Sequence, residues 1–337
     1  MRAYIMPAGC RSIDDLRLVD QPDPVPGPGQ VLVKVRATSL NRRDQAIADG
    51  TYFGRRVATD TIPLSDCAGE IAAVGEGVTR TARGDRVAAT FFQTPPNGPP
   101  FAPQAALASP LDGVLAEYIV LHENGVVPIP AVLSFEEGAC LPCAGVTAWN
   151  ALMAAGRPVE PGQTVLVLGS GGVSVFALQL AVGAGARVIA TSSSDAKLER
   201  LKALGASATV NYVRTPEWHK EVLRLTGGRG ADCIVEVVGA GTLERSFDAV
   251  AEAGKVCLIG VLEGRRAEIS PYALMWKQAT LHGIRVGTRE LFERMNRAID
   301  ACQIHPVIDR VFPFMDALAA YRLQASGNFV GKIVIGL

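Results

Sequence analysis

Hydrophobic and polar positions along the chain fall into two textures. Through about the first 125 residues, short β-branched runs such as VLVKVRA, GEIAAVG and GDRVAAT are bounded by glycine. Proline-rich loops separate them, DQPDPVPGPGQ and FFQTPPNGPPFAP among them, and fourteen of the 21 prolines fall within residues 1–130. Such runs predict an irregular, largely antiparallel β domain with long loops. From Thr164 the pattern changes to strand–helix alternation. TVLVLG, RVIAT, ATVNY, DCIVEVVG and KVCLIG predict strands; GGVSVFALQLAVGAGA, SDAKLERLKALGA, WHKEVLRLTGG and TLERSFDAVAEAG predict the helices between them. Each strand is apolar enough to be covered on both faces, which is the pattern of a parallel, doubly wound sheet.

The joints between these textures set the domain organisation. Ser134 stands three residues before Glu137, a capping box that opens a helix through SFEEGACLPCAGVTAWNAL. After about residue 265 the alternation ends. ATLHGIRVG reads as an edge strand, LFERMNRAIDACQ as a helix, and GKIVIGL as a last strand with no local partner. Returning that strand to the N-terminal β domain gives a β domain from residues 1–125 and 266–337. An α/β domain of residues 126–265 is then inserted into it.

Composition narrows the function classes. A chain of 337 residues, 48% hydrophobic and 20% charged, suits a soluble two-domain protein. Thirty-three basic residues balance thirty-three acidic ones, without a Lys/Arg block, so neither nucleic acid nor an anionic membrane is an expected partner. The start MRAYIMPAGCRSIDD lacks the apolar run of a signal peptide, and no segment approaches the ~20 apolar residues of a membrane span. Seven scattered cysteines imply reduced thiols and a cytoplasmic setting.

The most specific motif is Gly169-Ser-Gly-Gly-Val-Ser174, after an apolar strand and before a helix. Gly169 permits the tight turn, Gly171 lets backbone approach a pyrophosphate, and the helix N-terminus supplies N–H groups and a positive dipole end. Ser174 stands where the GxGxxG pattern has its third glycine. An NAD site usually carries an acid at the end of the second strand. Here that strand runs into Ser192-Ser193-Ser194, with Lys197 just inside the next helix. Asp195 suits the first helical turn. NADP(H) is therefore favoured over NAD(H).

These residues resemble the medium-chain dehydrogenase/reductase superfamily, in its zinc-independent quinone oxidoreductase-like branch, alongside the zinc-type alcohol dehydrogenase-like proteins. The likeness runs through VLVKVRATSLNRRDQAIADG, DCAGEIAAVGEGV, GDRVAA, CLPCAGVTAWNAL, GSGGVSVFALQLA, ALGASATVNY, IVEVVGAGTLERSFDAV and GKIVIGL. It implies a GroES-like β domain with an inserted Rossmann domain. It also implies pyrophosphate contacts from Gly171, Gly172 and Val173, and a 2′-phosphate site around Ser192, Lys197 and Tyr212. Gly239, Gly260 and Val261 would line the cofactor, with Thr147 and Asn41 close to the nicotinamide. Structural roles stand beside these: a strand-edge cap for Tyr212, a solvated helix lysine for Lys197, turn glycines at 239 and 260.

The zinc-using cousins carry a cysteine, a histidine and a cysteine at positions that here are Asn41, Ser65 and Cys143. No catalytic zinc is expected, since a catalytic zinc needs about three protein ligands. His122, His219, His282 and His305 lie outside these motifs. Cys140 and Cys143 read as inert helix residues. Without a Lewis acid, hydride donation to a quinone or an α,β-unsaturated carbonyl is easier to support than alcohol oxidation. Asn41 and Tyr52 are the candidate catalytic residues, as hydrogen-bond or proton donors. Asp44 is read as structural, and Phe91, Phe92 and Trp276 as pocket walls or packing. Two other readings stay open: an alcohol dehydrogenase with zinc on Cys143 and Asp66, and a non-enzymatic NADPH-binding protein. The resemblance implies a homodimer through ATLHGIRVG. The loop at residues 91–112 is expected to set pocket size.

Overall fold

A computed structural model describes residues 1–93, 105–264 and 266–337. The chain divides into two compact units, Met1–Cys143 with Thr288–Leu337, and Ala144–Gly287. Both boundaries lie further along the chain than the expected 125 and 265, for reasons visible in the pairing. Strand Val126–Pro128 pairs with Arg86–Ala89 in the first unit. At the other joint, Thr280–Gly283 pairs in parallel with Val250–Leu258 and so belongs to the inserted unit.

The first unit is built on a seven-stranded sheet. Its order is Ile308–Pro313, Lys332–Gly336, Gln30–Ser39, Asp66–Val74, Arg86–Ala89, Val126–Pro128, with Tyr118–His122 also paired to Gln30–Ser39. The closing strand Lys332–Gly336 lies antiparallel to Gln30–Ser39, which returns the C-terminal segment to the sheet of the N-terminal unit. Its core includes Val33, Ile71, Leu115 and Tyr321.

The second unit carries six parallel strands in the order Ala208–Asn211, Arg187–Ser192, Thr164–Leu168, Ala231–Glu236, Val250–Leu258, Thr280–Gly283. Strand Thr164–Leu168 sits between its neighbours at the point where the order reverses, the usual ligand crevice of such sheets. Leu166, Ile189, Ile234 and Phe247 belong to a core of its own.

Two predicted helices differ from expectation. The helix read through TLERSFDAVAEAG stops at Ala249, and Val250 and Ala251 are buried at the start of the next strand. The register with Ala231–Glu236 slips there, and Ala253 takes a φ of +55°. The capping box at Ser134 forms as expected, with the Glu137 N–H donating to Ser134 Oγ and the Ser134 N–H to Glu137 Oε2. Its helix Phe135–Gly138 is short, and Leu141–Gly145 continues in wider π-type turns. Pro142 has no N–H to give to a regular helix. Among the described residues no helix is long and apolar enough to cross a membrane.

Candidate active site

In the inserted unit, strand Thr164–Leu168 runs into Gly169, whose φ of +78° suits glycine. Helix Gly172–Gly183 follows. The Gly169 N–H donates to Thr191 Oγ1 at 3.3 Å, tying the turn to the second strand. Ser174 points its hydroxyl back to the Leu168 carbonyl at 2.6 Å, so it closes the strand–helix joint from inside. A Cβ built on Gly171 would meet nothing within 4 Å, and no side chain caps the helix. Gly171, Gly172 and Val173 are half-buried at this helix start, where N–H groups lack partners within the helix, and such a cradle fits a dinucleotide pyrophosphate.

Gly239 and Gly260 have a sufficient structural reason. A Cβ on Gly239 would come within 2.7 Å of the Gly260 carbonyl, and one on Gly260 within 1.7 Å of the Val237 carbonyl. Their loop is held by Glu236, fully buried, which accepts from the N–H groups of Val238 (2.9 Å) and Gly239 (3.1 Å) and the hydroxyls of Thr242 and Ser246. Sequence reasoning missed Glu236, although an acid inside the apolar run DCIVEVVG was a signal. Val261 is half-exposed beyond the strand end, and Thr147 is buried on the helical turn Val146–Trp149.

At the end of the second strand Ser192 is 2% exposed, so the solvent-facing hydroxyl there is Ser193. Tyr212 is exposed, and its N–H donates to the Ser192 carbonyl. Lys197 is half-buried on helix Asp195–Ala203. Asp195 occupies the first helical turn, where it accepts from Asn211 Nδ2 (2.8 Å) and Arg214 Nη2 (2.6 Å). Arg214 is the second residue that sequence reasoning missed, because it matters through its place beside Asp195.

In the β unit, Asn41 precedes helix Arg42–Ala48, and the Asp44 carboxylate accepts the Asn41 N–H at 2.7 Å. Burial raises the Asp44 carboxyl to about 6 against the opposing charge of Arg43. The Asn41 side chain makes no cap bond. Its Oδ1 accepts from Lys332 Nζ at 2.7 Å, and the same ammonium donates to the Leu40 carbonyl at 2.6 Å and stands 3.8 Å from Asp66 Oδ2. Asp66 is fully buried and accepts from Ser65 Oγ (2.8 Å) and the Cys143 N–H (3.0 Å). Burial pushes its carboxyl up, opposed first by Lys332 and then by the nearby Asn41 amide. Asn41 Nδ2 itself is buried and reaches no partner in hydrogen-bond geometry.

Tyr52 joins this centre through Arg43. The Arg43 guanidinium lies 5.2 Å from the Tyr52 ring and 4.7 Å from the Phe91 ring, and donates to the Leu107 carbonyl. Phe91 and Phe92 are buried edge to face, whereas Trp276 is 78% exposed and is not packing. Of the loop at 91–112, residues 94–104 lie outside the described residues.

The side chains at the former ligand positions do not fit a zinc ion. Asn41 and Ser65 are neutral oxygen donors, and Asp66 is already hydrogen-bonded. Burial raises the Cys143 thiol well above its ordinary value, and the Asp66 charge adds to this. An ammonium already supplies positive charge there. Cys140 donates its thiol to the Glu136 carbonyl and is pushed up to about 12 by burial. No three His, Cys, Asp or Glu side chains converge as a metal site among the described residues.

Comparison with known proteins places both units. Residues 27–131 match the alcohol dehydrogenase GroES-like domain, and residues 172–301 match the zinc-binding dehydrogenase domain. A zinc-type alcohol dehydrogenase-like protein of Schizosaccharomyces pombe is 44% identical over 315 residues, 91% of each chain. The quinone oxidoreductase of Rattus norvegicus is 29% identical, covering 93% of this chain and 90% of its own. Among solved structures, an NAD-dependent alcohol dehydrogenase superposes with a TM-score of 0.89 at 34% identity, covering 100% of both chains. A mycobacterial protein solved with NADPH superposes with a TM-score of 0.82 at 28% identity, likewise covering 100% of both.

Proposed function

Since the chain belongs to the medium-chain dehydrogenase/reductase superfamily of oxidoreductases, we propose that it is an NADPH-dependent reductase of quinones or α,β-unsaturated carbonyls that works without a catalytic metal. The observation that carries this reading is Asn41 Nδ2, a buried donor beside Asp66 that completes no hydrogen bond in good geometry, in a centre whose side chains do not suit zinc.

NADPH held at the Gly171–Val173 cradle would supply a hydride to the electrophilic carbon of the acceptor, whose π bond would open toward oxygen. The electron pair moves onto the acceptor oxygen. Asn41 Nδ2 donates a hydrogen bond to that oxygen, where charge develops in the transition state. Tyr52 packs its ring on the Arg43 guanidinium, and its phenol is the second candidate donor. A solvent proton completes the reduction, so one NADPH and one proton are consumed for each acceptor.

NADPH is favoured over NADH because Asp195 is paired with Arg214, and Ser193 and Lys197 stand at the same strand end. A carboxylate without such a partner would repel a 2′-phosphate. The name of the quinone oxidoreductase relative and the NADPH in one structural relative support the same reading.

The test is NADPH oxidation by chelator-treated protein against a simple quinone and a simple enone, with NADH in parallel. Turnover undiminished by chelation is expected, with kcat/KM higher for NADPH. Silence that added zinc reverses, together with alcohol oxidation, would make it a zinc alcohol dehydrogenase. Tight NADPH binding without turnover on any acceptor would make it a binding protein.

A further inference from the structure

We propose that Lys332 is a positioning residue: its ammonium fixes which end of the Asn41 amide is oxygen and so keeps the NH2 group as the donor. This rests on the reading of Asn41 as the donor to the acceptor oxygen.

An ammonium has hydrogens to give and no lone pair to receive, so the amide atom 2.7 Å from Lys332 Nζ is the carbonyl oxygen. The reversed amide would press an NH2 group against a cation. In a primary amide the two ends lie on opposite sides of one carbon, so fixing the oxygen fixes the nitrogen. The amide NH2 has two hydrogens; the Asp66 carboxylate beside it takes at most one of them, so a hydrogen remains to be given.

Asn41 has also given up the bond its position favours. A residue preceding a helix ordinarily turns its side-chain oxygen to the first N–H groups. Here the Asp44 N–H goes to the Asn41 backbone carbonyl at 2.9 Å, and the side chain makes no cap bond. Its partner lies 291 residues away in sequence.

Lys332 is held firmly enough to act as a fixed reference. It is 3% exposed and opens strand Lys332–Gly336, which is paired on both sides. Its three hydrogens face the Leu40 carbonyl, Asn41 Oδ1 and the side of Asp66. The charge of Asp66 offsets much of the cost of burying the ammonium, which would be severe for an unpaired one.

A double-mutant cycle on the NADPH-linked reaction tests this, using Lys332→Met, Asn41→Ala and the double variant. Thermal melts establish folding, and fluorescence titration gives the NADPH Kd. Lys332→Met is expected to lower kcat roughly tenfold or more, with the NADPH Kd within about threefold of wild type. In the Asn41→Ala background the same change is expected to cost nothing further. An equal loss of kcat in both backgrounds would show that Lys332 acts independently of Asn41, and would overturn the assignment. A kcat unchanged in Asn41→Ala would instead sink the reading of Asn41 itself. Lys332→Gln, whose neutral amide tolerates either orientation of Asn41, serves where the methionine variant does not fold. Its kcat is also expected to fall, and an unchanged value would overturn the proposal.

Discussion

Asp44 shows how much a single buried carboxylate in the β unit can be asked to do. It accepts the Asn41 N–H, sits 3.8 Å from Arg43, and has its carboxyl raised from 3.8 to about 6 by burial. A raised carboxyl means that between about pH 4 and 6 the folded chain holds a proton the unfolded chain has lost. Stability then falls as pH rises through that window, by about 3 kcal/mol in all. Asp44→Asn keeps an oxygen for the Asn41 N–H and removes the titration. Its unfolding free energy relative to wild type is expected to rise by about 3 kcal/mol from pH 4 to pH 7, read from urea melts. A difference flat with pH would show that Asp44 titrates normally. At this scale the sequence was a partial guide. NRRD identified Asn41 and Asp44, because both act within four residues of one another. Lys332, Arg214 and the Phe91–Arg43–Tyr52 stack could not be read, because each acts across a sheet or between elements distant in sequence.

Glycines separate what an element needs for folding from what it offers a ligand. Gly171 precedes helix Gly172–Gly183 with a φ of −78°, and its missing Cβ would touch nothing. Gly171→Ala is therefore expected to keep its stability within about 0.5 kcal/mol while obstructing the pyrophosphate approach. NADPH Kd should weaken about tenfold or more, roughly 1.4 kcal/mol. Gly260→Ala is the opposite case: its Cβ would sit 1.7 Å from a backbone carbonyl, so the loop must shift. A loss of about 3 kcal/mol is expected in denaturant melts. Unchanged NADPH affinity in a folded Gly171→Ala variant would remove the cradle from the cofactor site. Period and composition announced the strands and helices around these glycines well. They failed at AVAEAG, where small residues satisfy helix and strand alike and pairing to Ala231 decides. They failed again at CLPCAG, where Pro142 loosens the helix and the Cys143 N–H goes to Asp66 instead of to its own turn.

For the molecule as a whole, the last strand of the parallel sheet decides how copies can associate. Thr280–Gly283 pairs with Val250–Leu258 and ends the sheet. Its outer N–H and C=O groups form an edge that proteins usually cover or charge. Leu281 on that strand is exposed, as are Tyr272, Met275 and Trp276 on the adjoining helix Tyr272–Trp276. Exposed apolar side chains are costly in water at about 25 cal/mol per Å². A second copy related by a two-fold axis would pair the edge with itself, antiparallel, and bury the same side chains twice, an isologous arrangement. Sedimentation equilibrium at micromolar concentration is expected to show a dimer. Leu281→Lys should shift it toward monomer by placing like charges together across the axis. The Gly169–Val173 cradle lies on other residues, so the monomeric variant should still bind NADPH. A wild-type protein that sediments as a monomer would mean that this edge is covered in some other way.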